Sequence, residues 1–211
     1  TEFILRYPEE CTETVAQEEA YLTALRDAPY SLMIVCEVAG EIASLGSAAN
    51  PKVWSVGERV SVRLLYNCGE CHYCRKGKTN MCVQALKKPT REGFPPGPGG
   101  LCDYIIVETP ALYKITDALT FEEASLTEPL ACCIHSIERG HIHLSDDVVI
   151  IGGGIMGQFH ILLAKMQGAR VILSEVDEAR RALGINMGAD IVFNPMETDP
   201  VAFVKGLTDG R

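Results

Sequence analysis

Four cysteines, Cys68, Cys71, Cys74 and Cys82, stand in a Cys-x2-Cys-x2-Cys-x7-Cys pattern within Asn-Cys-Gly-Glu-Cys-His-Tyr-Cys-Arg-Lys-Gly-Lys-Thr-Asn-Met-Cys. Thiolates so spaced on one short loop can close a tetrahedral shell around zinc. A shell of four sulphurs leaves no position for water, so the chemistry is structural rather than catalytic. An iron–sulphur ligand set or plain surface thiols are the alternatives. The total of nine cysteines is odd, and their clustering at short spacings argues for metal ligands in a reducing compartment more than for a disulfide framework. His72 sits inside this lobe, which already has its four sulphurs, and is expected to face solvent.

A second group of residues lies further on. Val148-Val149-Ile150-Ile151 runs into Gly152-Gly153-Gly154-Ile155-Met156-Gly157, a Gly-x-Gly-x-x-Gly pattern between an apolar strand and an amphipathic helix. Gly152 permits the tight turn, Gly154 lets backbone approach a pyrophosphate, and Gly157 allows close packing of helix on strand. Ile155 and Met156 then open the helix, whose N-terminus faces the phosphates. The following strand ends in Ser174-Glu175, at the distance where an acid meets an adenosine ribose. Glu175 can accept from both ribose hydroxyls and would repel a 2′-phosphate, which favours NAD over NADP. Arg180 and Arg181 lie near enough to soften that preference. A solvated acid at a strand end is the alternative.

The elements that must position these groups divide into two kinds. Up to about residue 115, runs rich in Val, Ile and Leu at residues 31–45 and 59–65 are bounded by Gly40, Gly46 and Gly57 and read as short strands. Phe-Pro-Pro-Gly-Pro-Gly-Gly at residues 94–100 excludes a helix or a central strand, and residues 103–107 are strand-like again. From Thr116 the pattern changes to a short helix at 120–124, a longer one at 129–139, then strands at 148–151, 170–173 and 190–193 with a helix at 178–187. Strands alternating with helices imply parallel pairing in a doubly wound sheet. The fold class is therefore α/β, with a β domain ahead of it.

Composition narrows the function classes. With 19 Lys and Arg against 28 Asp and Glu, the net charge of -9 lacks the phosphate-neutralising excess of a nucleic-acid binder. No apolar stretch approaches the roughly 20 residues that cross a bilayer. A hydrophobic fraction of 47% in 211 residues excludes disorder and supplies one large core or two modest ones. A cytoplasmic protein is expected.

The cysteine lobe, with Ala39-Gly40-Glu41-Ile42, Val56-Gly57-Glu58-Arg59-Val60, Leu101-Cys102-Asp103-Tyr104 and Glu128-Pro129-Leu130, resembles the zinc-containing medium-chain alcohol, polyol and threonine dehydrogenases over most of the chain. The resemblance implies a GroES-like β domain at 1–118 with a structural zinc lobe at 66–84, then linking helices and a partial Rossmann domain at 119–211. It also implies a catalytic zinc that polarises an alcohol for hydride transfer to nicotinamide. Val35-Cys36-Glu37 stands where the family has Gly-His-Glu, so Cys36 replaces a histidine while Glu37 remains. Cys11 matches the family's early ligand, and Glu128 the acid of the polyol branch. Glu128 could instead cap the helix it opens. Cys132 and His135 could share a helical face with Glu128, but read as core residues; Cys102 and Cys133 receive no functional reading.

The expected activity is oxidation of a small secondary alcohol with NAD, in a homodimer or homotetramer. A zinc-stabilised dinucleotide-binding protein without catalysis is the alternative, and Cys36 is the residue that keeps it open. The first residue is not Met and only half of a dinucleotide fold is present, so a chain truncated at both ends is expected.

Overall fold

The computed structural model describes residues 3–6, 36–63, 67–85, 100 and 104–210. The chain forms two compact units, Thr1–Glu128 and Pro129–Arg211.

In the first unit the strands are β1 (Phe3–Arg6), β2 (Val38–Leu45), β3 (Arg59–Val62), β4 (Tyr104–Val107) and β5 (Leu112–Lys114). They make one antiparallel sheet in the order β4-β1-β2-β3-β5. Between β3 and β4 lies the cysteine lobe, with one helical turn, α1 (His72–Arg75), and a 3-10 turn at Thr79–Met81. The core is Val38, Ile42, Trp54, Val60, Val62, Val107 and Leu112, each aliphatic side chain stabilising the fold by about 1.5–3 kcal/mol on burial. The extended runs expected at 31–45 and 59–65 end as strands at Val38–Leu45 and Arg59–Val62; residues 31–35 and 64–65 lie outside the described residues. Strands β1 and β5 were not expected from the sequence.

After β5 the chain is pinned to β3 by Arg59, whose guanidinium donates to the carbonyls of Thr116 (3.1 Å) and Leu119 (2.6 Å) and lies 4.4 Å from the centre of the Phe121 ring. This holds α2 (Phe121–Ser125), which starts in a capping box: Thr120 accepts from Glu123 N–H, and Glu123 accepts from Thr120 N–H. Helix α3 (Thr127–Gly140) follows and carries Glu128 in its first turn.

In the second unit the stripe of α3 that is buried is Pro129, Cys133 and Ile137, at four-residue spacing. Then come β6 (Asp147–Ile151), α4 (Ile155–Met166), β7 (Arg170–Ser174), α5 (Glu178–Asn186), β8 (Ile191–Phe193) and α6 (Pro200–Leu207). The three strands pair in parallel in the order β6-β7-β8, as the strand–helix alternation implies. Val171, Ile172 and Leu173 of β7 are fully buried, with Ile161 and Ala164 of α4 also in this core. Gly184 of α5 lies so close to β7 that a Cβ there would meet Leu173 Cδ2 at 2.4 Å. Lys165 at the end of α4 pairs with Asp190 (2.8 Å), and Asp190 accepts the N–H of Val171 (2.6 Å), which ties α4 to the sheet. Among the described residues no helix is long and apolar enough to cross a membrane.

Candidate functional site

The lobe between β3 and β4 gathers Cys68, Cys71, Cys74 and Cys82 with their sulphurs within 4.8 Å of one another. Cys68 Sγ and Cys74 Sγ are 4.0 Å apart, close to the roughly 3.8 Å edge of a tetrahedron with zinc–sulphur bonds of about 2.3 Å. Backbone N–H groups point at these sulphurs. Cys71 N–H donates to Cys68 Sγ (3.3 Å), and Cys68 N–H (3.3 Å) and Gln84 N–H (3.4 Å) donate to Cys82 Sγ. Such donors favour thiolate. The N–H groups of Cys74 and Val83 hold the Cys71 thiol down to about 6, and that of Cys68 lowers Cys82. Cys74 goes the other way, to about 12, pushed first by burial and next by its hydrogen bond with Cys71. Sulphurs this crowded cannot all ionise without a cation among them, so the donor set fits zinc. His72 faces solvent with its ring edge-on to Tyr73 at 5.5 Å.

A second cluster in the same unit brings together Cys36, Glu37 and Glu128, again with ligand atoms within 4.8 Å of one another. Cys36 and Glu37 lead directly into β2, while Glu128 arrives on α3, so the Arg59 clasp and α2 set the approach of the third ligand. Glu37 Oε2 accepts the N–H of Cys36 at 3.0 Å. Burial, then the charges of Glu128 and Glu37, push the Cys36 thiol up to about 11. A soft thiolate beside two hard carboxylates suits a divalent ion such as zinc. Cys11, the remaining ligand that the family resemblance implies, lies outside the described residues, as does Cys102.

Cys132 and His135 belong to neither cluster. The expectation that they are core residues is corrected: both are exposed, because the buried stripe of α3 runs through Pro129, Cys133 and Ile137 instead. His135 stands 4.0 Å from Glu138. Of the two cysteines on α3, Cys133 is the buried one, with its sulphur 3.7 Å from the Met156 carbonyl and 3.8 Å from the Met156 sulphur.

The glycine-rich turn joins β6 to α4. Gly152 sits at φ 95, where a side chain would be strained. A Cβ on Gly157 would lie 2.0 Å from the Gly152 carbonyl oxygen, so the turn closes only with glycine there. A Cβ on Gly154 would meet nothing within 4 Å, leaving the mouth of the turn open. Gly154 is the N-cap of α4, no acid stands in that helix's first turn, and Ile155 and Met156 are exposed there. The positive end of α4 thus carries no acid in its own first turn and no side-chain cap, which fits a pyrophosphate.

Glu175, just past β7, is 5% exposed and is not the solvated acid that the sequence left open. Its Oε2 accepts from Gly153 N–H and its Oε1 from Asp177 N–H (2.8 Å). Those N–H groups, Asp177 first, hold its pKa below the ordinary carboxylate value. Each oxygen retains a second lone pair for a ribose hydroxyl. Arg180 stands beside it, with its Cβ 3.4 Å from where a Gly153 side chain would begin. Arg181 donates to the carbonyls of Glu175 (2.8 Å) and Val176 (2.7 Å).

One residue of this site escaped the sequence reading. Gln158, on the first turn of α4, is buried and donates through Nε2 to the carbonyls of Gly153 (2.9 Å) and Arg180 (3.1 Å). The available signal was the helix's lone amide, directly after the last glycine of the motif.

Comparison with known proteins gives concordant matches. Residues 11–117 match the family model of the alcohol dehydrogenase GroES-like domain, and residues 156–211 that of zinc-binding dehydrogenase. The chain is 35% identical over 178 residues to D-arabitol-phosphate dehydrogenase of Enterococcus avium, covering 82% of this chain and 49% of that protein. It is 35% identical over 176 residues to L-threonine 3-dehydrogenase of Pyrococcus horikoshii, covering 83% and 48%. A zinc-binding dehydrogenase from Sinorhizobium meliloti 1021, solved with NADP bound, superposes with a TM-score of 0.74 at 26% identity over 95% of this chain and 56% of that one. The chain spans about half the length of the curated relatives it matches.

Proposed function

The chain belongs to the zinc-containing medium-chain dehydrogenase family, and from that premise we propose that it is part of an oxidoreductase that moves hydride between NAD and a small secondary alcohol, of polyol or threonine type. The observation that carries the reading is the convergence of Cys36, Glu37 and Glu128 ahead of β2 and on α3, in a chain that also holds the glycine-rich turn. In this proposal residues 1–118 are the GroES-like domain, with its structural zinc lobe at 66–84, and residues 119–211 are the linking helices and the first part of a Rossmann domain. Cytoplasmic location and a homodimer or homotetramer complete it.

Cys68, Cys71, Cys74 and Cys82 would hold a structural zinc; Cys36, Glu37 and Glu128, with Cys11, would hold a second. The second ion would supply Lewis acidity to the alcohol, and the nicotinamide would accept hydride. This chain's own part is to place and orient. Glu37 holds the Cys36 backbone through one carboxylate oxygen, so the thiol and carboxylate present themselves from a fixed strand entry. The N-terminus of α4 at Ile155, Met156 and Gly157 would bind the pyrophosphate. Glu175 would take the ribose hydroxyls with its spare lone pairs, and its negative charge would disfavour a 2′-phosphate.

The test is zinc per chain measured together with alcohol-dependent NAD reduction on polyols, polyol phosphates and threonine, in protein extended to the length of the relatives. Two zinc ions and turnover on one substrate class are expected. One zinc ion and cofactor binding without turnover on any of them would overturn the enzymatic reading.

A further inference from the structure

The peptide of Gly153 is held from both sides. Its N–H donates to Glu175 Oε2, and its carbonyl accepts from Gln158 Nε2 at 2.9 Å. The same Nε2 reaches the Arg180 carbonyl at 3.1 Å, in the first turn of α5. That turn is itself capped by Asp177, which accepts from Arg180 N–H at 2.8 Å and donates its own N–H to Glu175 at 2.8 Å. Three segments are therefore linked around Gly153: the β6–α4 turn and the start of α5 through the Gln158 amide, and the end of β7 through Glu175. Both groups facing Nε2 are carbonyls, which fixes the amide orientation, since the opposite flip would set oxygen against oxygen. The fixed orientation leaves Gln158 Oε1 buried without a hydrogen-bond partner among the described residues. An apolar side chain would fill this place without stranding an acceptor. What the amide adds is the pair of bonds that join the turn to α5.

We propose that Gln158 is a positioning residue for the cofactor's adenosine ribose: by bridging the Gly153 and Arg180 carbonyls it holds the phosphate-binding turn, Glu175 and Arg180 in one register, and so sets discrimination at the ribose 2′ position. The proposal rests on the dinucleotide reading of the turn. Freed from the bridge at its carbonyl, the Gly153 backbone can turn about its own φ and ψ and draw its N–H away from Glu175. Arg180 can then shift with α5 towards a 2′-phosphate, which favours NADP at the expense of NAD.

The deciding variant is Gln158→Met, which matches glutamine in length and helix propensity but removes both donors and the stranded acceptor. Amide hydrogen exchange at Gly153 in the cofactor-free chain is read beside Kd for NADH and NADPH, with Tm as the check on folding. Expected are exchange at Gly153 about tenfold faster, the worth of one good hydrogen bond, weaker NADH binding, and a smaller NADH-to-NADPH preference at nearly unchanged Tm. A role in packing alone would leave exchange and both affinities unmoved in the Met variant, and that result overturns the proposal. If the wild-type protein, extended to the length of its relatives, binds neither cofactor, the dinucleotide reading falls. The exchange rates then still decide whether Gln158 holds the turn. Should Gln158→Met fail to fold, Gln158→Glu gives the same decision: its ionised carboxylate repels both carbonyls, so Gly153 exchange should rise with pH beyond the wild-type dependence. An unchanged pH dependence would count against the bridge.

Discussion

The backbone N–H of Gly153 donates to Oε2 of Glu175, joining the glycine-rich turn to the end of β7 across 22 residues of sequence. In the proposed function one carboxylate thus has two tasks, holding the turn and taking the ribose hydroxyls. Glu175→Ala should therefore do two things. It should strand the Gly153 N–H, costing about 1–3 kcal/mol of stability in the second unit, and it should narrow the preference for NADH over NADPH by removing the charge that repels a 2′-phosphate. Glu175→Gln offers one acceptor oxygen to the two N–H donors of Gly153 and Asp177, so it should recover only part of that stability and none of the preference. Equal wild-type affinities for NADH and NADPH would count against this assignment.

Acid should weaken the second unit in a defined window. Glu175 is held below its ordinary value of 4.5, first by the Asp177 N–H and then by that of Gly153. For Asp190, burial alone pushes the pKa up, but the Lys165 ammonium and the Val171 N–H outweigh it and the net shift is below 3.8. A folded-state pKa below the unfolded one gives stability that is complete above the unfolded value and is lost as pH falls through the folded value. Tm should stay flat down to about pH 5 and then drop. The double variant Glu175→Gln with Asp190→Asn should start less stable at neutral pH and show a shallower acid limb. An acid limb as steep as the wild type's would place the titrating groups elsewhere.

In the cysteine lobe, zinc should be part of the folding free energy, since α1 is a single helical turn without a buried residue. Cys71→Ser should lower bound zinc by about one ion per chain and lower Tm, and chelation should unfold this segment locally. Zinc content unchanged from the wild type in that variant would remove the structural-site assignment.

What the sequence made legible was local. The four-cysteine spacing and the glycine motif carry their geometry within about 15 residues, because loop length and φ preference restrict where such side chains can go. The helix at 120–124 was readable from Thr120 and Glu123, which form the capping box. What depended on distant partners was not readable. Strand β1 is short and pairs Phe3 with Leu45, and Gln158 bonds to backbone carbonyls that no side-chain pattern reveals. For Cys132 and His135, helical periodicity says which residues share a face but not which face turns inward. Helix α6 is a different case, since Asp199 caps it and Pro200 opens it, a start signal present in the sequence and passed over.

At the proposed second metal site, cysteine and histidine present a cation with different proton costs. Burial and the charges of Glu128 and Glu37 push Cys36 up to about 11, so at neutral pH a zinc ion must displace the thiol proton as it binds. Cys36 should then add a climb of about tenfold per pH unit to the apparent zinc affinity of this site across the neutral and mildly alkaline range. In Cys36→His the ligand at that position is neutral imidazole, already deprotonated above about pH 7, so above that pH the climb should be shallower than the wild type's by about tenfold per pH unit, Cys11 contributing equally to both. Alcohol oxidation should follow the same order for a further reason: an added thiolate makes the metal a weaker Lewis acid than imidazole does. The wild-type rate should rise at more alkaline pH than that of the histidine variant. Measuring the second zinc equivalent at fixed free zinc from pH 6 to pH 9, on metal-stripped protein, checks the first half, and a pH profile of kcat checks the second. Wild-type loading that does not vary with pH would mean that Cys36 is not a ligand, whatever the geometry of its neighbours.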